Sequence, residues 1–409
     1  MEAQVLEDNN RSYLLKTLAG ATFIIFFQVY MVAPLIPELS TYFKVSEQHI
    51  GLIVPAFLIP YGIATLFFGV FADRFGTKKV ILTSFSIFAV FTALTATSQT
   101  VPQLIFWRMM AGIGASGVIP ISLAWIGHAY PYEHRGLPIG YIFGAVAGGG
   151  AFGSFAGVFL ESVIGWRLLF LLVFVLAVFV WILIIHAYQK VELKTKKQGL
   201  TWSGVFTTYY NLLKNPRGRN AYLYVMLNGI FHAGVYTWLA YYLQKVYDLN
   251  GWQIGYALLG YGIPGLIFGP LIGKLTDKIG RSKLIPIGLA VGACSAATLI
   301  GNIPLWFARV AIITLSLGFD LTQPLLAGIV TEVGRERSGQ SVSVMAFMLF
   351  VGFGLGSYLF SLALNLGLKE ALIIFSGIQF LLALIALIIF KHEHFKKQPA
   401  ASPPVTVGA

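Results

Sequence analysis

Charged residues are scarce in this chain of 409 residues. Asp, Glu, Lys and Arg make up 11% of it, whereas hydrophobic residues make up 57%. A soluble domain carries about 25% charged residues, so the composition excludes a soluble globular protein of this length. Lipid is the alternative solvent, and a helix needs roughly 20 apolar residues to cross it.

Cysteine is nearly absent as well, since Cys294 is the single one. An intramolecular disulfide is therefore excluded, and no Cys or His spacing is typical of a metal site. Segments 112–117 and 148–153 fit the glycine pattern of dinucleotide sites, but both lie inside apolar runs and neither follows a strand. We therefore expect no cofactor, no metal and no enzyme activity.

Long apolar runs are abundant instead, and they are separated by short polar segments. Each run is long enough to cross a bilayer as a helix. We predict twelve membrane-spanning helices, numbered spans 1 to 12, at residues 14–37, 48–71, 80–98, 102–129, 137–161, 166–188, 220–245, 251–273, 284–302, 304–331, 340–365 and 369–390.

Basic residues outnumber acidic ones, 28 to 16, and the net charge is +12. We assign alternate connections between spans, together with both termini, to one side of the membrane. By the positive-inside rule that side is the cytoplasm. The positive charge therefore indicates topology and not nucleic-acid binding. Among the basic residues, only the following lie elsewhere: Lys44, Arg108, Arg167, Lys245, Arg309 and Lys369.

One loop is present twice in the sequence. Residues 69–79 (Gly-Val-Phe-Ala-Asp-Arg-Phe-Gly-Thr-Lys-Lys) return as residues 273–283, so that Asp73 in the first copy corresponds to Asp277 in the second. Both copies lie between apolar runs. A basic, glycine-containing turn duplicated in two halves of a membrane protein indicates a transporter built from two repeats.

Further matches at nearly the same step along the chain extend the repeat, among them Pro60 with Pro264 and Arg108 with Arg309. They predict an all-α membrane protein of two pseudo-symmetric six-helix bundles. The linker between the bundles either contains an amphipathic surface helix or is a plain solvated connection. The predicted units are an N-terminal bundle (1–188), a cytoplasmic linker (189–219), a C-terminal bundle (220–395) and a disordered tail (396–409).

The duplicated loop resembles the signature between spans 2 and 3 of the major facilitator superfamily, Gly-x-x-x-Asp-(Arg/Lys)-x-Gly followed by basic residues. Arg108 and the glycines after it resemble the span 4 signature, and residues 165–167 resemble the start of span 6 in the drug:H⁺ antiporter branch. The resemblance implies the twelve-helix fold of that family. Two positions depart from the branch: Ser154 stands where span 5 usually has Pro, and Gln28 stands where span 1 often has an acidic residue.

Asp320 is the one carboxylate well inside a predicted span. A charge inside a bilayer costs about 2.5–3.5 kcal/mol on insertion scales, so an intramembrane ion is a functional candidate. Low dielectric disfavours the charged carboxylate, which can then load and release a proton. We therefore predict that Asp320 couples transport to protons. The alternative is a permanent ion pair with a cation such as Arg309, eleven residues earlier on the same face of span 10.

Two further residues are candidates for proton coupling. His232 is titratable near neutral pH, although a structural, hydrogen-bonded role is equally open. Arg108 either binds an anionic group or tunes a neighbouring acid. Polar stripes on spans 7 and 10 should face the gap between the bundles, because lipid cannot satisfy them. The predicted substrate-cavity residues are Gln28, Asn228, His232, Tyr236, Arg309, Ser316 and Gln323.

The duplicated loops also have a mechanical interpretation. Asp73 and Asp277 lie at helix ends among cations, where an Asp can cap a neighbouring helix and pair with Arg135 or Arg337. Such contacts would hold the halves together on the cytoplasmic side and break during transport. Plain topology anchoring by positive charge is the alternative. The predicted gate residues are Gly69, Asp73, Arg74, Gly76, Arg135, Gly273, Asp277, Lys278, Gly280 and Arg337.

These observations predict a secondary transporter of the inner (plasma) membrane, monomeric, with both termini in the cytoplasm, that works by alternating access. The resemblance favours proton-coupled efflux of a small amphipathic compound. A symporter or exporter for a sugar or another metabolite is the second hypothesis, because the polar stripes suit hydroxyl groups. A non-transporting membrane sensor on the same fold is the third. The expected partners are a small-molecule substrate, protons and the lipid bilayer.

Overall fold

The computed structural model describes residues 2–130, 136–190, 202–262, 264, 279–334 and 338–393. Within these ranges the chain forms helices joined by short turns and contains no β-strand. This confirms the predicted all-α fold. The first half comprises α1 (Glu2–Val32), a 3₁₀ turn (Ala33–Leu35), α2 (Ile36–Phe43), α3 (Glu47–Gly51), α4 (Ile53–Phe75), α5 (Thr77–Ala96), α6 (Val101–Ala115), α7 (Val118–Ala129) and α8 (Gly136–Lys190).

The second half follows a helix in the predicted linker. The described helices of the two halves fit the predicted twelve spans, and the bounds of most of them agree with the predicted runs to within a few residues. The exception is α1, which begins well before residue 14. The remaining helices are α9 (Trp202–Lys214), α10 (Pro216–Tyr247), α11 (Gly251–Leu258) with a 3₁₀ turn (Leu259–Gly262), α12 (Arg281–Thr298), α13 (Leu305–Val333), α14 (Ser338–Ala363) and α15 (Leu368–Ile389).

Eight stretches of the described chain are long and apolar enough to cross a membrane. One of them, Leu137–Lys190, holds spans 5 and 6, because α8 bends at Gly165, where φ is 75°. Spans 7 and 9 are helical as α10 and α12, but polar and small residues dilute their hydropathy. Span 8 is described only in its first part, as α11 and the 3₁₀ turn.

The turns of the two halves share rare backbone conformations. Each residue with positive φ in the described chain has a counterpart in the other half, at nearly the same step that relates the duplicated loops. Such conformations are uncommon outside glycine. Their recurrence shows that the two halves have the same backbone conformation at corresponding turns, well beyond the duplicated loop. The pairs are Lys44 with Asp248, Gly76 with Gly280, and Gly165 with Gly367.

Helix starts repeat in the same way. Ser46 caps α3 by accepting a hydrogen bond from the backbone N–H of His49. Asn250, at the equivalent position of the second half, caps α11 by accepting one from Gln253. A side-chain oxygen at this position satisfies an N–H that the helix itself leaves free.

We name the two ends of the molecule by these turns. The loop end carries the turns at Gly76 and Gly280 and the connection between the halves. The far end carries the turns at Lys44, Gly165 and Asp248. Because successive spans are antiparallel, α4 runs from the far end to the loop end, and α10 runs the opposite way.

The halves meet through α4 with α14, α8 with α11, and α10 with the turn that follows α1. The ring centres of Tyr61 in α4 and Phe350 in α14 are 4.1 Å apart. A methyl group added at Gly255 of α11 would lie 3.3 Å from the Phe155 carbonyl oxygen and the Val158 Cβ of α8. The two halves are therefore closely packed at these contacts.

Within the first half, α8 packs along α1 through a glycine face. A Cβ at Gly149, Gly153 or Gly157 would collide with α1. Gly140 and Gly144, nearer the loop end, have no such neighbour within 4 Å. These glycines therefore permit close helix approach over the far-end part of α8.

Arg167 bonds to the end of α5 at the far end of the first half. Its guanidinium donates hydrogen bonds to the carbonyl oxygens of Ala96 and Ser98, both at 2.7 Å, where α5 ends. It also lies over the rings of Tyr42 and Trp166. A cation at a helix carboxyl end satisfies free carbonyl groups and complements the helix dipole, so residues 165–167 have a structural role here.

The linker contains a helix, α9, that touches both halves. It packs on α10 and α14 of the second half. The Tyr209 hydroxyl donates a hydrogen bond of 2.8 Å to the Leu66 carbonyl oxygen of α4. Val205 and Leu212 are buried, and Phe206 is exposed. Such an amphipathic helix can lie at the membrane surface while it connects the halves.

Replacement of Gly76 by Ala tests the strain at the duplicated turn. Gly76 has φ 90° and ψ 140°, and an added Cβ would meet no atom within 4 Å. The substitution should then destabilise the folded protein through backbone strain alone, by on the order of 1–3 kcal/mol. We expect a lower midpoint of thermal unfolding for Gly76→Ala in detergent. Gly377→Ala, in α15 and also without a neighbour, is the control and should not lower it. Equal midpoints would refute the strain argument.

Candidate functional site

Asp320 lies near the middle of α13, in the second half. Its carboxylate accepts a hydrogen bond from Ser316, one turn earlier, at 3.3 Å. It also interacts electrostatically with Tyr30 of the first half and Tyr261 of the second. No Lys or Arg among the described residues lies within 4 Å of it. Within the described part of the chain, Asp320 is therefore a carboxylate inside a span without a paired cation.

Arg309 does not neutralise Asp320. The two residues are eleven positions apart on α13, which separates them by about 16 Å along the helix axis. The Arg309 guanidinium lies over the Tyr256 ring, 5.4 Å from its centre. Its Nε has no hydrogen-bond partner among the described residues. The alternative of a permanent Asp320–Arg309 pair therefore finds no support in this geometry.

His232 is held by aromatic neighbours in the second half. Its Nε2 lies 2.8 Å from the Tyr261 hydroxyl. Its ring stacks on Phe319 with centres 3.8 Å apart, and Phe319 directly precedes Asp320. His232 is 4% exposed. The side chain is thus oriented by a hydrogen bond and a ring contact close to the carboxylate, and its part in coupling stays a prediction.

Tyr236 joins the two halves. Its hydroxyl lies 2.7 Å from the Ser154 hydroxyl of α8 and 3.1 Å from the Tyr30 carbonyl oxygen of α1. Its ring meets the Tyr30 ring edge-on, with centres 5.2 Å apart. The residue predicted to line a substrate cavity is therefore bonded across the interface between the halves.

Asn228 is bonded entirely inside the second half. Its side-chain amide donates to the Thr322 hydroxyl of α13 at 3.2 Å and accepts from the Gln379 amide of α15 at 3.0 Å. Gln323, next to Thr322, has no hydrogen-bond partner for either amide atom in the described chain. Gln323 therefore has free bonding capacity one turn from Asp320, whereas Asn228 has little left.

Gln28 is bonded entirely inside the first half. It is fully buried, and its amide donates to the Thr92 hydroxyl of α5 at 2.8 Å. Thr92 in turn donates to the Phe88 carbonyl oxygen. The position at which Gln28 departs from the drug:H⁺ antiporter pattern thus serves here as a bond between α1 and α5.

Arg108 is a buried cation of the first half, 1% exposed. Its Nε donates to the Ile53 carbonyl oxygen of α4 at 3.4 Å, and its guanidinium lies 4.3 Å from the centre of the Phe57 ring. One terminal nitrogen has no hydrogen-bond partner among the described residues. No described carboxylate pairs with Arg108. It therefore keeps capacity for an anionic group.

Aromatic rings form a continuous path between the halves. Neighbouring rings in it have centres 3.8–6.1 Å apart, and the path starts beside Arg108 and ends at Tyr30. Aromatic rings provide large apolar contact areas and prefer offset or edge-to-face arrangements. The path follows Phe57, Tyr61, Phe350, Phe353, Phe319, His232, Tyr261, Tyr236 and Tyr30.

A charged cluster lies at the loop end of the second half. Arg217, at the start of α10, pairs with Glu332 at 2.9 Å and with Glu393 at 2.5 Å. Arg281, at the start of α12, pairs with Glu332 at 3.4 Å. These ion pairs link α10, α12, α13 and the segment after α15 at the loop end of this half.

The predicted gate residues are only partly described. Gly69 lies in α4 and Arg74 near its end, and Arg74 is exposed, with its guanidinium over the Phe75 ring. Gly76 and Gly280 form the matching turns. The side chain of Asp73 and all of Arg135, Gly273, Asp277, Lys278 and Arg337 lie outside the described residues.

Sequence reasoning did not select Tyr30, Tyr261 or Phe319 as site residues. Each is an aromatic residue in an apolar run, where lipid-facing rings are equally common. No local pattern distinguishes the two cases. Ser154 did stand out in the sequence, as a departure from the family pattern, but its partner Tyr236 could be identified only from the packing of the halves.

Comparisons with known proteins agree with this architecture. A family model described as Major Facilitator Superfamily matches residues 18–357 and, in a second match, 253–407. Multidrug resistance protein 2 of Bacillus subtilis (strain 168) is 23% identical over 367 residues, 87% of this chain and 91% of that protein. The riboflavin transporter RibZ of Clostridioides difficile (strain 630) is 23% identical over 376 residues, 80% of this chain and 82% of that protein.

A solved structure has the same fold. It is a bacterial homologue of the human lysosomal transporter Spinster, in an inward-facing and unoccupied conformation. The TM-score is 0.76 at 16% identity, over 95% of this chain and 99% of the other. At this identity the likeness concerns the fold alone.

The bonds of Asn228 generate a stability prediction. Asn228→Ala or Gln379→Ala leaves a buried partner unsatisfied, which costs about 1–3 kcal/mol. The double variant should cost less than the sum, because both changes remove one shared bond. Thermal unfolding in detergent measures all three. Ser376→Ala is the control on α15, since that hydroxyl bonds within its own helix. Strictly additive effects would show that the bond contributes nothing.

Proposed function

Because the chain belongs to the major facilitator superfamily, a family of membrane transporters and not of enzymes, we propose that it exports a small amphipathic compound in exchange for protons. The two halves would move against each other around the site between them, opening it to each side of the membrane in turn.

The proposed coupling to protons rests on the position of Asp320. It is a carboxylate in the middle of a spanning helix, bonded to Ser316 and near enough to Tyr30 of the other half for an electrostatic interaction. An ion without a partner is costly at this depth, so the proton-bound form is favoured when the halves close around it. Water that enters from either side lets the proton leave. Proton loading then alternates with the conformation of the protein.

The aromatic path supports an amphipathic substrate. Its rings contribute apolar contact area, and Gln323 and Arg108 add unused hydrogen-bond donors at its margins. The relationship to a Bacillus multidrug resistance protein agrees with a drug-like compound. The relationship to a riboflavin transporter favours a second candidate, a polar aromatic metabolite.

The duplicated loops would hold the loop end closed in one conformation. Gly76 and Gly280 impose the same turn in both halves, which supports equivalent roles for the two copies. Asp73 and Asp277 remain our candidates for the contacts that break on opening. We place this end in the cytoplasm of an inner-membrane protein, because the basic residues concentrate there.

Asp320→Asn tests the coupling role. The amide keeps the size and the hydrogen bond to Ser316 but cannot bind and release a proton. We expect loss of pH-gradient-driven transport into inverted vesicles, whereas exchange of substrate without a gradient continues. The assay uses a fluorescent amphipathic cation and, separately, riboflavin, so it also compares the two substrate candidates.

Glu370→Gln is the matched control for charge removal. Glu370 is an exposed carboxylate at the far end, and we expect coupled transport to continue in this variant. Asp320→Glu should keep partial coupling, because it retains the carboxyl group. Normal gradient-driven transport by Asp320→Asn would remove Asp320 from the mechanism.

The orientation is tested with a pair of equivalent lysines. Lys79 and Lys283 occupy the same position in the two copies of the duplicated loop, and both are exposed at the loop end. In a Cys294→Ser background, Lys79→Cys and Lys283→Cys should both react with an impermeant thiol reagent in inverted vesicles and not in intact cells. Lys44→Cys, exposed at the far end, should show the reverse. Labelling of the two lysine positions from opposite sides would refute the two-repeat topology.

A further inference from the structure

Two hydroxyl groups share three short contacts at the interface between the halves. The Ser154 hydroxyl oxygen lies 2.8 Å from the Gly150 carbonyl oxygen, and the Tyr236 hydroxyl oxygen lies 3.1 Å from the Tyr30 carbonyl oxygen. The two hydroxyls lie 2.7 Å from each other. Each hydroxyl carries one hydrogen, so two hydrogens serve three contacts.

Only two arrangements place a hydrogen between the two hydroxyls. In one, Tyr236 donates to Ser154, which donates to Gly150. In the other, Ser154 donates to Tyr236, which donates to Tyr30. Both arrangements bond Tyr236 of the second half to the first half. The bridge is also dry, since Ser154 is 0% and Tyr236 6% exposed, so water does not replace it in this conformation.

The bridge lies on the far-end side of the membrane centre. Tyr236 is about one turn past the midpoint of α10, toward the far end. Beyond it, α8 and α11 are in contact at Val158 and Gly255. Any pathway that opens between these helices must separate α8 from the second half, and Tyr236 is bonded to α8.

We propose that Ser154 is a positioning residue that fixes Tyr236 in a hydrogen-bonded bridge between the halves, and that this bridge must break before the pathway opens at the far end. The inference rests on the proposed alternating access. It gives Ser154 a role that a proline at this position could not perform, because proline has no hydroxyl group. In this role Tyr236 links the two halves by hydrogen bonds, independently of any contact with substrate.

The test measures opening directly, in purified protein without substrate or gradient. Val158 is 3% exposed at the contact with α11, so Val158→Cys in the Cys294→Ser background should react slowly with an impermeant maleimide. Loss of one neutral hydrogen bond should raise that rate about two- to tenfold. We expect this rise for Ser154→Ala, Ser154→Pro and Tyr236→Phe, and a rate near the parent for Ser154→Thr, which retains a hydroxyl.

Ser357 supplies the matched control. It is the repeat counterpart of Ser154 in the second half, and it is 1% exposed. Its hydroxyl has no hydrogen-bond partner among the described residues, so Ser357→Ala should leave the Val158→Cys rate unchanged. Lys44→Cys reports on reagent access and should react equally in every background. Thermal unfolding checks that each variant is folded.

The outcomes separate this inference from the proposed function. Unchanged labelling in all three bridge variants would overturn it, and so would an equal rise in Ser357→Ala. Absence of drug efflux or of proton coupling would refute the proposed function and leave the labelling result valid, because the labelling needs neither. A rise in Ser154→Ala that Ser154→Thr reverses would establish the bridge.

Discussion

The bilayer imposes one constraint on which the rest of this structure depends: a polar side chain in a span must be bonded inside the protein or must face a water-accessible site. Gln28 and Asn228 meet it by bonds within one half. Tyr236 meets it by a bond between the halves. Asp320 has only a neighbouring hydroxyl. The constraint thus separates residues bonded within one half, a residue bonded between the halves, and Asp320, whose hydrogen bond among the described residues comes from a hydroxyl on its own helix.

Much of the fold could be predicted from the sequence, because lipid solvation makes hydropathy a strong signal and because a repeat is visible without any structure. The step that links residues 69–79 to 273–283 also relates the left-handed turns at Lys44 and Asp248. The sequence likewise located Asp320, since a carboxylate inside an apolar run is conspicuous at any span position.

The details of the site could not be predicted, because they depend on how each helix is rotated about its own axis. A stripe with a period of four residues includes Asn228, His232 and Tyr236, yet these three bind α15, the 3₁₀ turn and α8 respectively. Rotation of a helix by a fraction of a turn moves a residue from the interface to the interior of a half, and hydropathy does not record that rotation.

Arg167 has a consequence for how the protein is made. Its partners, Tyr42, Ala96 and Ser98, all precede it in the chain. A ribosome that has delivered the segment up to this arginine has therefore already supplied every group the arginine binds. The far end of the first half can form these bonds during membrane insertion, before any residue of the second half is synthesised.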